Sequence, residues 1–202
     1  MAHPDQISFV GPPGCGKSTL INALAPHFAN ARLMLEEPDS YPFVRFVAEP
    51  SPAWQTLNQC DFMLRKVAAV LSDDPPLTAI RLMESDWYSC HTMWVPTLHR
   101  IGLIDSADRD ALQQIFSQAV AAGVPVPRLT FWMRAPGELL AQRIVKRDRH
   151  FEVSSTFVAL VRALAEFDDF PLPGRVVQLN AADSVTALTD AVLRELSLQQ
   201  NG

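Results

Sequence analysis

The chain has 202 residues, 48% of them hydrophobic, enough for one domain with a sizeable core over 1–202, and no shift in composition divides it. A formal net charge of -5 with 17 Lys and Arg residues argues against a nucleic-acid partner, while a small anionic ligand needs only local positive charge. Cys15, Cys60 and Cys90 cannot all pair and lack a metal-type spacing, no stretch has the apolar length of a membrane span, and residues 1–6 are too short and polar for a signal sequence. The expectation is a cytoplasmic protein with no membrane contact.

Ile7 to Gly11 reads as a strand buried on both faces, and Leu20 to Phe28 as a helix ending near Pro26. Arg32 to Glu37 reads as a second strand, ended by Glu37-Pro38 because proline biases its predecessor toward an extended backbone. Pro38, Pro42, Pro50 and Pro52 make 39–53 an irregular segment, of a length more often used for binding than for spacing. Trp54 to Leu71 suits a helix with Arg65 and Lys66 in its later half, and Asp73-Asp74-Pro75-Pro76 breaks the chain. Leu77 to Met83 reads as a third strand delivering Glu84, Ser85 and Asp86 to its carboxyl end, followed by a helix over Trp87 to Ile101. A helix capped by Asp105 or Ser106 runs to about Ala122, where Gly123, Pro125 and Pro127 end it. Arg128 to Met133 is the fourth strand, and Pro136 at a first helical position opens a helix through Leu139, Leu140, Ile144 and Val145. Val153 to Phe167 reads as helix, Val176 to Leu179 as the fifth strand, and Ser184 to Leu196 as the closing helix. Strands alternating with helices predict a three-layer α/β fold, a five-stranded parallel sheet flanked by helices.

Between the first strand and first helix stands Gly11-Pro12-Pro13-Gly14-Cys15-Gly16-Lys17-Ser18-Thr19. In this G-x-x-x-x-G-K-S spacing the small residues bring backbone N–H groups close to a triphosphate. Lys17 is placed by the β and γ phosphates, and Ser18 offers its hydroxyl to Mg²⁺. In open parallel sheets ligands sit outside the carboxyl ends of the strands, so Glu84 can reach that Mg²⁺, and Glu36 or Glu37 can serve as a base beside an acceptor hydroxyl. Arg143 and Arg147 share one helix face, and with Arg149 they form a basic lid, about 143–155, suited to the charge that spreads over a transferring phosphoryl group.

These residues together resemble the deoxynucleoside kinase family of P-loop phosphotransferases. Four markers fall in order: the phosphate loop, Glu37-Pro38, Glu84, and the run from Arg143 through Arg149 followed by Glu152. The resemblance implies an ATP- and Mg²⁺-dependent transfer to the 5′-hydroxyl of a nucleoside or deoxynucleoside, with Glu37 as base and Ser18 and Glu84 at the metal. Lys17, Arg143, Arg147 and Arg149 would grip the donor phosphates, with the loop residues Gly11, Gly14, Cys15, Gly16 and Thr19. Gln59 would hydrogen-bond the nucleobase, Trp54 and Trp94 would line its pocket, and Glu152 would meet the sugar 3′-hydroxyl. The loop from Asn180 to Asp183 resembles the one that holds the ATP adenine, and the family pattern implies a homodimer through helices beside the third and fourth strands.

The departures lie on the acceptor side. Ser85 stands where the family carries an arginine, for which Arg65 or Lys66 could substitute; Cys90 replaces a base-reading aspartate, and Ala48 lies near the place of a tyrosine. Two other readings follow: a thymidylate-type nucleoside monophosphate kinase, suggested by Asp86-Trp87-Tyr88, and a nucleotide-binding module without transfer activity. A GTPase fits less well, because Asn180-Ala181-Ala182-Asp183 lacks the lysine of a guanine-reading element.

Overall fold

The computed structural model describes residues 5–36, 51–72, 80–147, 152, 154–166 and 170–200. Glu37, Pro38, Ala48, Asp73 to Ala79, Asp148 and Arg149 lie outside them.

The sheet is built from β1 (Asp5–Val10), β2 (Ala31–Met34), β3 (Ile80–Glu84), β4 (Leu129–Arg134) and β5 (Arg175–Asn180). All pairings are parallel, in the order β2-β3-β1-β4-β5. The helices are α1 (Lys17–Leu24), α2 (Pro52–Ser72), α3 (87–100), α4 (Ser106–Ala121), α5 (Gly137–Arg147), α6 (Ser155–Glu166) and α7 (Val185–Gln200). The apolar run of β1 is central and buried on both faces: Ile7, Phe9 and Val10 are inaccessible, and the Phe9 ring stacks on Phe131 of β4 with centroids 5.2 Å apart. Such a strand is held by apolar burial on two sides, of order 2 kcal/mol for each large side chain. The chain passes from β1 to β2 on one side of the sheet and reaches β4 on the other, so the carboxyl end of β1 is the switch point where this class of sheet opens a crevice.

Several boundaries differ from the sequence expectation for physical reasons. α1 begins at Lys17, three residues early, because the glycine loop opens straight into helix; past Leu24 the chain tightens into a 3-10 turn, Ala25–His27, around Pro26. α2 starts at Pro52, a residue suited to the first helical position because it has no N–H to leave unpaired. β2 stops at Met34 rather than Glu37. Its last ladder pair is Met34 with Met83, and Glu36 turns its N–H to the Glu84 carboxylate, 3.3 Å away.

α3 is not a plain helix: an α turn (Trp87–Ser89) widens into a π turn (Cys90–Trp94) before an α segment (Val95–Arg100). Pro96 lies just beyond the wide turn, where it can give no N–H and where its ring would crowd the preceding carbonyls of a regular helix. Asp105, not Ser106, caps α4, and α5 begins at Gly137, with Pro136 just outside it accepting from the Leu140 N–H. Among the described residues no helix is long and apolar enough to cross a membrane.

Candidate active site

The phosphate loop keeps its shape through its glycines. A side chain on Gly11 would strike the backbone carbonyl of Met133 on β4, and Gly16, at φ 91°, holds a left-handed conformation that other residues resist. The loop then delivers Lys17 and Ser18 at the amino end of α1, where free N–H groups and the helix dipole favour an anion.

The Lys17 ammonium is buried and donates to the carbonyls of Gly11 and Pro12 at 3.0 and 3.3 Å. Burial works against its charge, but the potential of Cys15, Glu36 and Glu84 outweighs it and holds the lysine above its ordinary pKa. Burial also pushes the Cys15 thiol up, so near neutral pH the two carboxylates do most of the holding. Lys17 therefore stays an ammonium.

Ser18 Oγ donates to the Glu84 carboxylate at 2.8–2.9 Å, joining the loop to the end of β3 across 66 residues of sequence. This places two hard oxygen donors together, the set that suits Mg²⁺, which takes few protein ligands and fills its other positions with phosphate oxygens and water. No group of three or more His, Cys, Asp or Glu side chains suited to a metal occurs among the described residues.

A cavity of about 340 Å³ opens over the loop. Its wall brings together Gly14, Cys15, Gly16, Lys17, Ser18, Thr19, Glu84, Arg143, Arg147, Glu152 and Asp183 with Gln59 and Trp94. Gly11 is not among the residues of that wall. Trp54 is not on the described wall either; it is partly buried against the main core. Glu37 and Arg149, expected as base and lid residue, lie outside the described residues.

The lid arginines differ in their partners. Arg143 Nη1 donates to Ala181 O at 2.8 Å and lies 3.5 Å from Gly14 O, so it ties the loop after β5 to the phosphate loop. Arg147 pairs with the Glu152 carboxylate, which is almost wholly buried. Asn180 accepts from the Ala182 N–H and donates to Asp183, which shapes the loop at the Asp183 end of the cavity.

The same wall also carries Glu36, Asn58, Phe62, Cys90 and Phe157. Asn58 and Phe157 escaped the sequence reading: Asn58 is marked only by adjoining Gln59, and Phe157 reads as ordinary core. Asn58 Oδ1 is buried with no hydrogen-bond partner among the described residues. The Cys90 thiol is pushed up to about 12 by burial and so is a neutral wall at physiological pH. The wide turn of α3 carries both Cys90 and Trp94, and turns of this kind recur at functional sites.

Of the two cations on the later half of α2, Arg65 turns to Asp61 on its own helix, whereas Lys66 reaches the end of β3. Asp86-Trp87-Tyr88 is taken up by structure: Asp86 caps α3 and accepts from the Ser8 hydroxyl at 2.7 Å, while Trp87 is buried with its indole N–H on Pro125 O. Trp87 and Tyr88 pack on Phe116.

A phosphate loop at the switch point of a parallel sheet, faced by a basic helix end, defines a P-loop phosphotransferase. The chain belongs to the deoxynucleoside kinase family, whose model matches residues 7–164, and it is a nucleoside kinase. Structures of deoxyadenosine kinase from M. mycoides share its fold. The form with bound dCTP aligns with a TM-score of 0.76 at 12% identity over 95% of this chain and 98% of that one. The form with bound dATP gives 0.74 at 14% identity over 95% and 99%, and the form with products dCMP and a flexible dCDP gives 0.74 at 13% over 95% and 98%. No curated protein matches the sequence.

Proposed function

We propose that this nucleoside kinase transfers the γ-phosphoryl group of ATP to the 5′-hydroxyl of a deoxynucleoside. The observation that carries this reading is one cavity whose wall holds two unlike sets of groups: Lys17, Ser18 and Arg147, suited to phosphates, and Gln59, Trp94 and Cys90, suited to a base. ATP lies with its base toward the loop that Arg143 braces and its phosphates on the glycine loop. Lys17 and Arg147, with Arg149, neutralise charge on the transferring group. Mg²⁺, held by Ser18 and Glu84, supplies further neutralisation of the phosphate oxygens when bound.

The acceptor base stacks on Trp94 and takes hydrogen bonds from the Gln59 amide, and Glu152 meets the sugar. Glu37 accepts the 5′-hydroxyl proton as the new O–P bond forms and the γ-phosphate bond to the ADP oxygen breaks. The M. mycoides structures hold both purine and pyrimidine deoxynucleotides, which supports a deoxynucleoside acceptor without choosing its base.

The test is an ADP-release screen over deoxynucleosides, ribonucleosides, their monophosphates and small alcohols. A deoxynucleoside is expected to give ADP and its 5′-monophosphate one for one, and Lys17→Ala to lower the rate by about 10²–10³-fold. Turnover of a monophosphate but not of its nucleoside defeats the acceptor assignment, and ATP binding with no product from any acceptor defeats transfer altogether.

A further inference from the structure

Ser85 is the one non-glycine residue with a positive φ, 51°, among the described residues. A left-handed serine costs on the order of 1 kcal/mol, and it persists only where its surroundings hold it. Here the turn separates two carboxylates with opposite tasks: Glu84 points to Ser18, while Asp86 points into the sheet to Ser8 and caps α3.

Lys66, reaching from the later half of α2, holds both carbonyls of this turn. Its ammonium donates to Glu84 O at 2.6 Å and to Ser85 O at 3.0 Å, and it stands 3.8 Å from the Glu36 carboxylate. The side chain is only 11% exposed, so these bonds are not diluted by solvent. From the other side the Ser85 N–H is fixed by Phe9 O at 3.0 Å.

We infer that Lys66 is a positioning residue for Glu84: by binding two successive carbonyls it fixes the left-handed turn at Ser85, and so sets the Glu84 carboxylate against Ser18. A compact ammonium with three donors suits this task, because the two carbonyls and the Glu36 carboxylate approach it from different directions. The role rests on the reading of Ser18 and Glu84 as the residues that hold Mg²⁺.

The test is ADP binding by calorimetry with and without Mg²⁺, which needs no acceptor. In the wild type, Mg²⁺ tightens ADP binding. In Lys66→Met the Mg²⁺-free affinity is expected to stay within about twofold, while the tightening by Mg²⁺ falls by about tenfold, the size of a lost charge-assisted hydrogen bond. Lys66→Arg, which can still donate to both carbonyls, restores most of it. Ser85→Gly, free to adopt the turn, behaves as wild type, and Ser85→Val, which resists it, repeats the loss with Lys66 still present. The Ser85 pair decides the matter if Lys66→Met fails to fold. A wild type whose ADP affinity ignores Mg²⁺ defeats the metal reading itself. A responsive wild type matched by an equally responsive Lys66→Met, or by Ser85→Val where that variant decides, defeats only the role of Lys66.

Discussion

Arg147, near the carboxyl end of α5, holds the carboxylate of Glu152 five residues further on, and both line the same cavity. The pair joins a residue assigned to the donor phosphates with one assigned to the acceptor sugar. Removing the arginine therefore does two things: it deletes a cation from the transferring group and takes from a buried carboxylate one of the charges that hold it. Arg147→Met is expected to lower kcat by about 10²-fold and to raise the nucleoside KM by about tenfold. Glu152→Gln, which keeps the shape, is expected to raise the nucleoside KM while leaving the ATP KM within about twofold. Initial-rate kinetics with each substrate varied in turn check both, and an Arg147→Met enzyme with an unchanged nucleoside KM counts against the link.

What could be read without the structure was mostly local. The Ile7–Val10 run announces a doubly buried strand, the glycine spacing announces its own chemistry, and Arg143 and Arg147 share a face by helical period alone. The contacts that complete the site are remote in sequence. The Ser85 turn has no side-chain signature, because serine is at home in many conformations, and it is held by partners remote in sequence, Lys66 19 residues earlier and the carbonyl of Phe9. The π turn follows from Pro96 crowding a helix that its neighbours otherwise favour. Trp54 reads equally well as pocket wall or as core, because its setting depends on how α2 packs, which helical period alone does not fix.

The ring of His91 stacks on Phe116 with centroids 4.2 Å apart, and Nε2 lies 2.9 Å from Gln113 Oε1. Burial lowers its pKa, with the Gln113 bond working in the other direction. A base with a lowered folded pKa binds its proton more readily in the unfolded chain, so stability is full above the unfolded value, about 6.5, and declines as pH falls toward the folded one. The slope is at most about 1.4 kcal/mol per pH unit for this one proton. Urea midpoints measured from pH 7.5 to 5.5 should fall in the wild type, and His91→Phe, which keeps an aromatic ring on Phe116, should lose that part of the fall. An identical slope in both proteins assigns the pH dependence to other groups.

The neighbours Glu36 and Glu37 pose the sharpest question about the chemistry. Glu36 is already engaged: its N–H lies 3.3 Å from the Glu84 carboxylate, and its own carboxylate stands 3.8 Å from the Lys66 ammonium. Glu37, next along the chain and before Pro38, is the candidate for the base at the acceptor hydroxyl. Glu37→Gln is expected to lower kcat by about 10²–10⁴-fold with the ATP KM unchanged, and to erase the acidic limb of the pH–rate profile. Glu36→Gln keeps that limb and costs about tenfold or less, the effect of loosening Lys66 and the end of β3. Paired kcat profiles from pH 4.5 to 9 separate the two: a limb lost in Glu36→Gln and kept in Glu37→Gln would move the base one residue back, onto Glu36.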